Sequence, residues 1–150
     1  MNKSGFDYIG VTTPFYCHDG NGNFLFHKRS DKCRDEKGTW DCGGGRLDFG
    51  EDPREGVLRE VKEEYGCDGN INEQLPYYSI IRKHDGKKTH WLSLPFIIQV
   101  DRNKVKNNEP DKIDEIGWFK LDQLPKPIHT GVKLELDKFK KRLDKYKNEN

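Results

Sequence analysis

The sequence predicts an α/β fold in which a mixed β-sheet lies between helices. Three observations carry this. Apolar and aromatic runs of strand length come in two groups, each followed by a helical segment, so the order is strands, helix, strands, helix. Each helical segment has its apolar residues on one side only, and such a stripe must be buried against another layer. The chain has 150 residues, no internal repeat and no low-complexity linker, so residues 1–150 are expected to form a single domain. Its core must be built from large side chains, because alanine is absent and 35% of residues are charged, with a mean hydropathy of −1.03.

The elements follow in order. Residues 8–17 and 23–29 are strand-like runs joined by the hairpin signal "HDGNGN". "SDKCRDEKGT" is a polar loop, and "WDCGGGRLDFGED" opens as a strand before turning glycine-rich. The first helix is marked at both ends. Asp52 is a good N-cap, Pro53 suits the first helical position, Glu55 completes a capping-box spacing, and Gly66 is a stop signal. "LPYYSIIRKHDGKKTHWLSLPFIIQV" reads as two strands around a "HDGKK" turn. A polar loop, a strand in "IDEIGWFKL" and a short turn in "DQLP" come next. In the tail, Val132, Leu136, Phe139, Leu143 and Tyr146 make one stripe on a charged helix that Thr130 could cap. A helix packed on the sheet is expected, with a partner-binding helix as the alternative.

Composition narrows the function classes. The formal net charge is +1, whereas a general nucleic-acid binder is expected to be strongly basic, so no polymeric nucleic acid is expected as partner. "MNKSGFDYIG" lacks the apolar run of a signal peptide, and no segment approaches the length of a membrane span. Cys17, Cys33, Cys42 and Cys67 contain no C-x-x-C pair and read as free thiols of a cytoplasmic protein.

The first helix carries the chemistry. At about 100° per residue, Val57, Leu58, Val61 and Tyr65 form its apolar face, and Glu60, Glu63 and Glu64 fall together on the flank beside it, along with Gly56. Like charges three or four apart on a helix cost about 0.2–0.5 kcal/mol per pair. A solvated face usually mixes signs, but this flank holds only carboxylates and a glycine. Three carboxylates in one space suit a hard divalent cation such as Mg²⁺. A plain acidic face remains the alternative on spacing alone. Gly56 is read either as leaving room for hydrated metal and phosphate or as drift.

With the loop before it, the helix makes "GRLDFGEDPREGVLREVKEEYGC". This resembles the signature of the Nudix hydrolases, G-x5-E-x7-R-E-U-x-E-E-x-G-U, where U is a bulky aliphatic residue. Gly45, Glu51, Arg59, Glu60, Glu63, Glu64 and Gly66 stand at the fixed positions, Val61 at the first U and Cys67 at the last. "FLFHKRS" and "GTWDCGGG" before the box, and "EPDKIDEIGWFKLDQLP" after it, extend the resemblance over roughly residues 8–125. Gly43 stands where many members have proline, and a looser turn is expected there.

The resemblance implies a Nudix-type α/β/α sandwich with the box as a loop-helix-loop. It implies hydrolysis of a diphosphate bond in a nucleotide with Mg²⁺, or Mn²⁺ as a substitute. Glu60, Glu63 and Glu64 match the metal-binding carboxylates, with Gly44 joining them through its backbone. Glu60 or Glu63 is the expected general base. Arg59 orients, paired with Glu63 or with Glu51. Lys28, Arg29, Gly45 and Glu51 are expected to bind substrate. A further metal carboxylate is expected from Glu115, with Asp114 and Glu109 as rivals. Trp118, Phe119, Trp91, Tyr77 and Tyr78 could stack on a base, with buried core as the plainer reading. The favoured activity is a MutT-like (deoxy)nucleoside triphosphate pyrophosphohydrolase, acting as monomer or homodimer on a small-molecule nucleotide. A hydrolase of ADP-ribose or a similar linked nucleoside diphosphate is the first alternative, and a non-catalytic nucleotide-binding module the second.

Overall fold

The structure, a computed structural model, describes residues 2–147. The chain forms β1 (Gly10–Thr12), β2 (Phe15–His18), β3 (Phe24–Arg29), β4 (Trp40–Asp41), α1 (Pro53–Tyr65) and β5 (Gly69–Gln74). It continues with β6 (Tyr78–His84), β7 (Lys87–Ser93), β8 (Phe96–Val100), β9 (Ile113–Phe119), α2 (Thr130–Lys138) and α3 (Lys140–Asp144). One sheet has the order β4-β3-β2-β8-β5, with β9 paired to β3; the other has the order β1-β7-β6. Both contain parallel and antiparallel pairs.

The larger sheet is buried on both faces. Phe15, Cys17, Leu25, Phe96 and Ile98 pack with Val57, Val61 and Tyr65 of α1. Tyr16, Phe24, Phe26 and Ile97 point the other way, into a second core with Val132, Phe139 and Leu143 of the tail. Successive strand residues alternate between faces, so two covered faces explain why these strands read as nearly continuous apolar runs.

Four details differ from the sequence expectation. Residues 8–17 form two strands, and residues 75–100 form three. Both divisions fall at a proline, Pro14 and Pro95, where the chain passes from one sheet to the other. The crossings run side by side: Leu94 N–H donates to the Thr12 carbonyl at 2.9 Å and Phe96 N–H to the Pro14 carbonyl at 2.9 Å. Next, β5 lies in "GNINEQ", whose polar residues give little strand signal. The tail is two helices divided at Phe139, and the α2 N-cap is His129, whose Nδ1 accepts from Gly131 N–H at 3.0 Å. Thr130 instead donates its N–H and its hydroxyl to Glu36, at 2.8 and 2.9 Å. Finally, Gly43 lies in an antiparallel bridge and forms no loose turn. It exchanges both backbone hydrogen bonds with Phe15, at 2.8 and 3.1 Å, and a side chain there would run into the Phe15 ring.

The tail stripe faces the core, as the packed-helix reading expects. A carboxylate on β5 fastens it. Glu73 is 13% exposed and accepts from Arg142 Nε at 2.7 Å, from Tyr146 and from Lys145 Nζ at 2.9 Å. Burial pushes its pKa up, but these donors outweigh burial and hold it at about 2. A carboxylate with a depressed folded-state pKa stabilises above its ordinary value near 4.5 and loses that contribution as pH falls toward about 2. Glu73→Gln should therefore cost roughly 1–3 kcal/mol at neutral pH and flatten the acid limb of the stability curve. Urea unfolding at pH 7 and pH 3 checks this, and parallel acid limbs for the two proteins would refute it.

Candidate active site

The helix α1 starts and stops where its signals place it. Asp52 accepts from Arg54 N–H at 2.9 Å, and Gly66 takes the left-handed conformation, φ 67°, donating to the Lys62 carbonyl. Between these ends Arg59 gathers the acidic side chains. Its Nε and Nη2 grip the two oxygens of Glu51 at 2.6 and 2.9 Å, and Nη1 meets Glu60 and Glu63, each at 3.0 Å. Asp48 adds a contact at 3.4 Å. Two parallel charge-assisted bonds are the strong form of this pair, and the Arg59 hydrogen bonds hold the Glu51 carboxyl at about 2.

Glu64 turns inward. It is 6% exposed, and its Oε2 accepts from Gly44 N–H at 3.1 Å. Burial drives its pKa well up, and the charges of Glu60, Glu109 and Asp41 act in the same direction. Glu60 is half-buried and likewise raised, first by burial, with Glu63 and Glu109 adding and Arg59 opposing. Gly45 lies directly against it, since a Cβ there would run into the Glu60 carboxylate. The Gly45 carbonyl is fixed by Thr13 N–H at 2.9 Å and the Thr12 hydroxyl at 3.2 Å. The glycine strand is thus pinned to β1 on one side and opens toward the glutamates on the other.

Other expected site residues lie elsewhere. Glu115 is exposed and paired in register with Lys28. Alternation along β9 puts Ile116 and Trp118 on the α1 side and Phe119 on the α2 side, so Glu115 and Lys28 share the face turned away from α1. The carboxylate from beyond the sheet that acts on Glu60 and Glu64 is Glu109. Arg29 is committed to Asp41 at 3.0 Å and Asp35 at 2.8 Å, which ties the 30–39 loop down. Gly56 does not face open space: a Cβ there would come within 2.8 Å of Leu47 Cδ1 and Glu51 Oε1, so the box loop packs on it. Trp118 lies under Arg102 at 5.1 Å, Trp91 covers Gly5 and Gly10, and Phe119 and Tyr78 belong to the tail-side core, leaving Tyr77 exposed. Asp41 was missed in the sequence. Only its strand register, opposite His27 on the α1 side, brings it toward Glu64.

Among the described residues no three His, Cys, Asp or Glu side chains already converge at ligand spacing. The donor set nevertheless fits a hard divalent cation. It is made of carboxylate oxygens, with Glu60 and Glu64 held in a partly water-excluded space where their charges oppose one another and Arg59 is the cation bonded to the flank. A dication there would remove that repulsion.

The NUDIX domain model matches residues 10–142. The chain belongs to the NUDIX domain family. An RNA pyrophosphohydrolase of Gluconacetobacter diazotrophicus is 29% identical over 135 residues, covering 79% of this chain and 80% of that protein. An ADP-ribose pyrophosphatase of Methanocaldococcus jannaschii is 32% identical over 101 residues, 67% of this chain and 57% of that one. Among solved structures, a MutT NUDIX hydrolase from Burkholderia pseudomallei superposes with a TM-score of 0.75 at 28% identity, covering 87% of this chain and 97% of that chain. The protein is therefore a Nudix hydrolase acting on nucleotide diphosphate bonds, with the α/β/α architecture of that family.

Proposed function

We propose that this Nudix hydrolase is a (deoxy)nucleoside triphosphate pyrophosphohydrolase that cleaves between the α- and β-phosphates and releases the monophosphate and pyrophosphate. The observation that carries the reading is the complete glutamate flank set against the Gly44–Gly45 backbone. Glu60, Glu63, Glu64 and Glu109 would hold Mg²⁺, or Mn²⁺ in its place. The bound cation would neutralise the diphosphate and lower the pKa of a water toward neutrality. Glu60, half-buried against Gly45 and bonded to Arg59, would be the carboxylate that takes the proton from the attacking water. Arg59 keeps Glu60 and Glu63 in place, and Glu51 anchors Arg59.

Two observations support the substrate choice. The proline expected about fifteen residues past the box in ADP-ribose enzymes is absent; that stretch is the β6–β7 hairpin with Arg82 and Lys83. The MutT neighbour favours the same choice. A 5′-triphosphate at the end of an RNA is the second reading, favoured by the relative named RNA pyrophosphohydrolase. The free thiols support a reducing, cytoplasmic setting, and no helix among the described residues is long and apolar enough to cross a membrane.

The deciding experiment incubates the protein and Mg²⁺ with the eight common nucleoside triphosphates, ADP-ribose and a 5′-triphosphorylated oligoribonucleotide, and resolves products by chromatography. Monophosphate with pyrophosphate from one or more free nucleotides is expected. Orthophosphate with diphosphate, or preferred turnover of ADP-ribose or of the oligonucleotide, would overturn the assignment.

A further inference from the structure

The C-terminal end of α1 is closed by the irregular segment 105–112 that follows β8. The last carbonyls of an α-helix have no partner inside the helix. Here Lys106 N–H donates to the Tyr65 carbonyl and Asn108 N–H to the Glu64 carbonyl, both at 3.0 Å. The Asn108 side-chain amide reaches the Glu63 carbonyl at 3.1 Å and the Lys62 carbonyl at 3.5 Å. The segment is therefore docked on the backbone of the residues whose side chains form the acidic flank.

The next residue is Glu109, and its backbone is gripped from both sides. Its N–H donates to Asn107 Oδ1 at 3.1 Å, and its carbonyl accepts from Lys112 and Ile113 N–H at 3.0 and 2.9 Å. Asn107 closes the turn by donating its Nδ2 to the Ile113 carbonyl at 2.8 Å. Between 105 and 112 the segment has no helix or strand to fix it. These two amides supply the side-chain bonds that, with the backbone ones, hold Glu109 against the end of α1.

We propose that Asn107 and Asn108 are positioning residues of the hydrolytic site, latching segment 105–112 to the end of α1 so that Glu109 joins Glu60 and Glu64 in holding the divalent cation. This rests on the metal-binding reading of the glutamate flank. Because the latch is anchored on α1, the carboxylate from the loop and those from the helix stay in one rigid unit.

The test uses Mn²⁺ alone as probe, with binding to the full chain followed by electron paramagnetic resonance and folding followed by thermal unfolding. Asn108→Ala should weaken Mn²⁺ binding by about tenfold, the lower end of what loss of an outer-shell partner costs, and Glu109→Gln, which removes a group that holds the ion, should weaken it by at least as much. The double variant should be no weaker than the weaker single one, since Asn108 acts through Glu109. Should Asn108→Ala unfold, Asn107→Ala gives the same readout, because its side chain bonds the Glu109 N–H and the Ile113 carbonyl and leaves the end of α1 untouched. Unchanged Mn²⁺ affinity in the asparagine variants overturns the latch while leaving the metal site standing, and so do losses that multiply in the double variant. Unchanged affinity in Glu109→Gln removes the carboxylate it serves. Failure of the wild-type chain to bind Mn²⁺ overturns the metal reading and the latch together.

Discussion

Glu64→Gln should lower turnover on the order of 100-fold or more, the scale of losing one stabilising group in an active site, while raising the melting temperature of the metal-free protein. The two effects share one cause. Glu64 is buried among the charges of Glu60, Glu109 and Asp41, and Gly44 N–H is its hydrogen-bond donor. Glutamine has the same shape, and its carbonyl oxygen can still accept that bond. What disappears is a charge that burial penalises. A carboxyl with a raised folded-state pKa stabilises most below its ordinary pKa and loses that contribution as pH rises through the folded value. The stability gain of the variant, roughly 2–6 °C, should therefore be present at neutral pH and fade as the pH is lowered. Turnover and metal-free melting curves at pH 7.5 and pH 4.5 test this. Activity within threefold of wild type would place Glu64 outside the chemistry, and a lower melting temperature at neutral pH would mean its burial is not a strain.

Gly45→Ala should be nearly as damaging, and Gly44→Ala should not. The added methyl at 45 would occupy the space of the Glu60 carboxylate, which Arg59 holds from the other side. Glu60 would have to leave Arg59 or the strand would have to leave Thr12 and Thr13. Displacements of about 1 Å near reacting groups cost on the order of 100-fold. At 44 the nearest atom is Pro14 Cα at 3.4 Å, an ordinary contact, so turnover within a few-fold of wild type is expected. Steady-state kinetics on the pair decides it. Equal damage at both positions would show a general disturbance of the strand, with no specific collision at Glu60.

These two neighbours also mark what was legible in the sequence. The box spacing located the α1 flank, its caps and the glycines, since those depend on residues within a few turns of one another. The side to which each strand residue points was harder. Glu115 and Glu109 are both acidic residues far beyond the box and close to each other in sequence, and only the β9 register and the Asn107–Asn108 docking separate them. Arg29 reads as a phosphate ligand until Asp35 and Asp41 are seen around it. Gly56 shares its flank angle with the glutamates, but helix periodicity carries no information about Leu47, which packs over it from the loop. The passage of two strands between sheets was encoded at Pro14 and Pro95, where apolar continuity masked it.

The start of α2 has a consequence for the order of assembly. Its first turn is fastened by Glu36, through Thr130 N–H, the Thr130 hydroxyl and His129 Nε2 at 2.8 Å. That carboxylate sits some ninety residues earlier, in a loop that is itself secured by Arg29. A short helix gains little stability on its own, and contacts between distant parts of a chain form only after the loop between them has closed. The tail helices are therefore latecomers: a peptide spanning 129–147 would be largely unstructured in water, and the tail acquires its shape by settling onto a sheet and loop that are already in place.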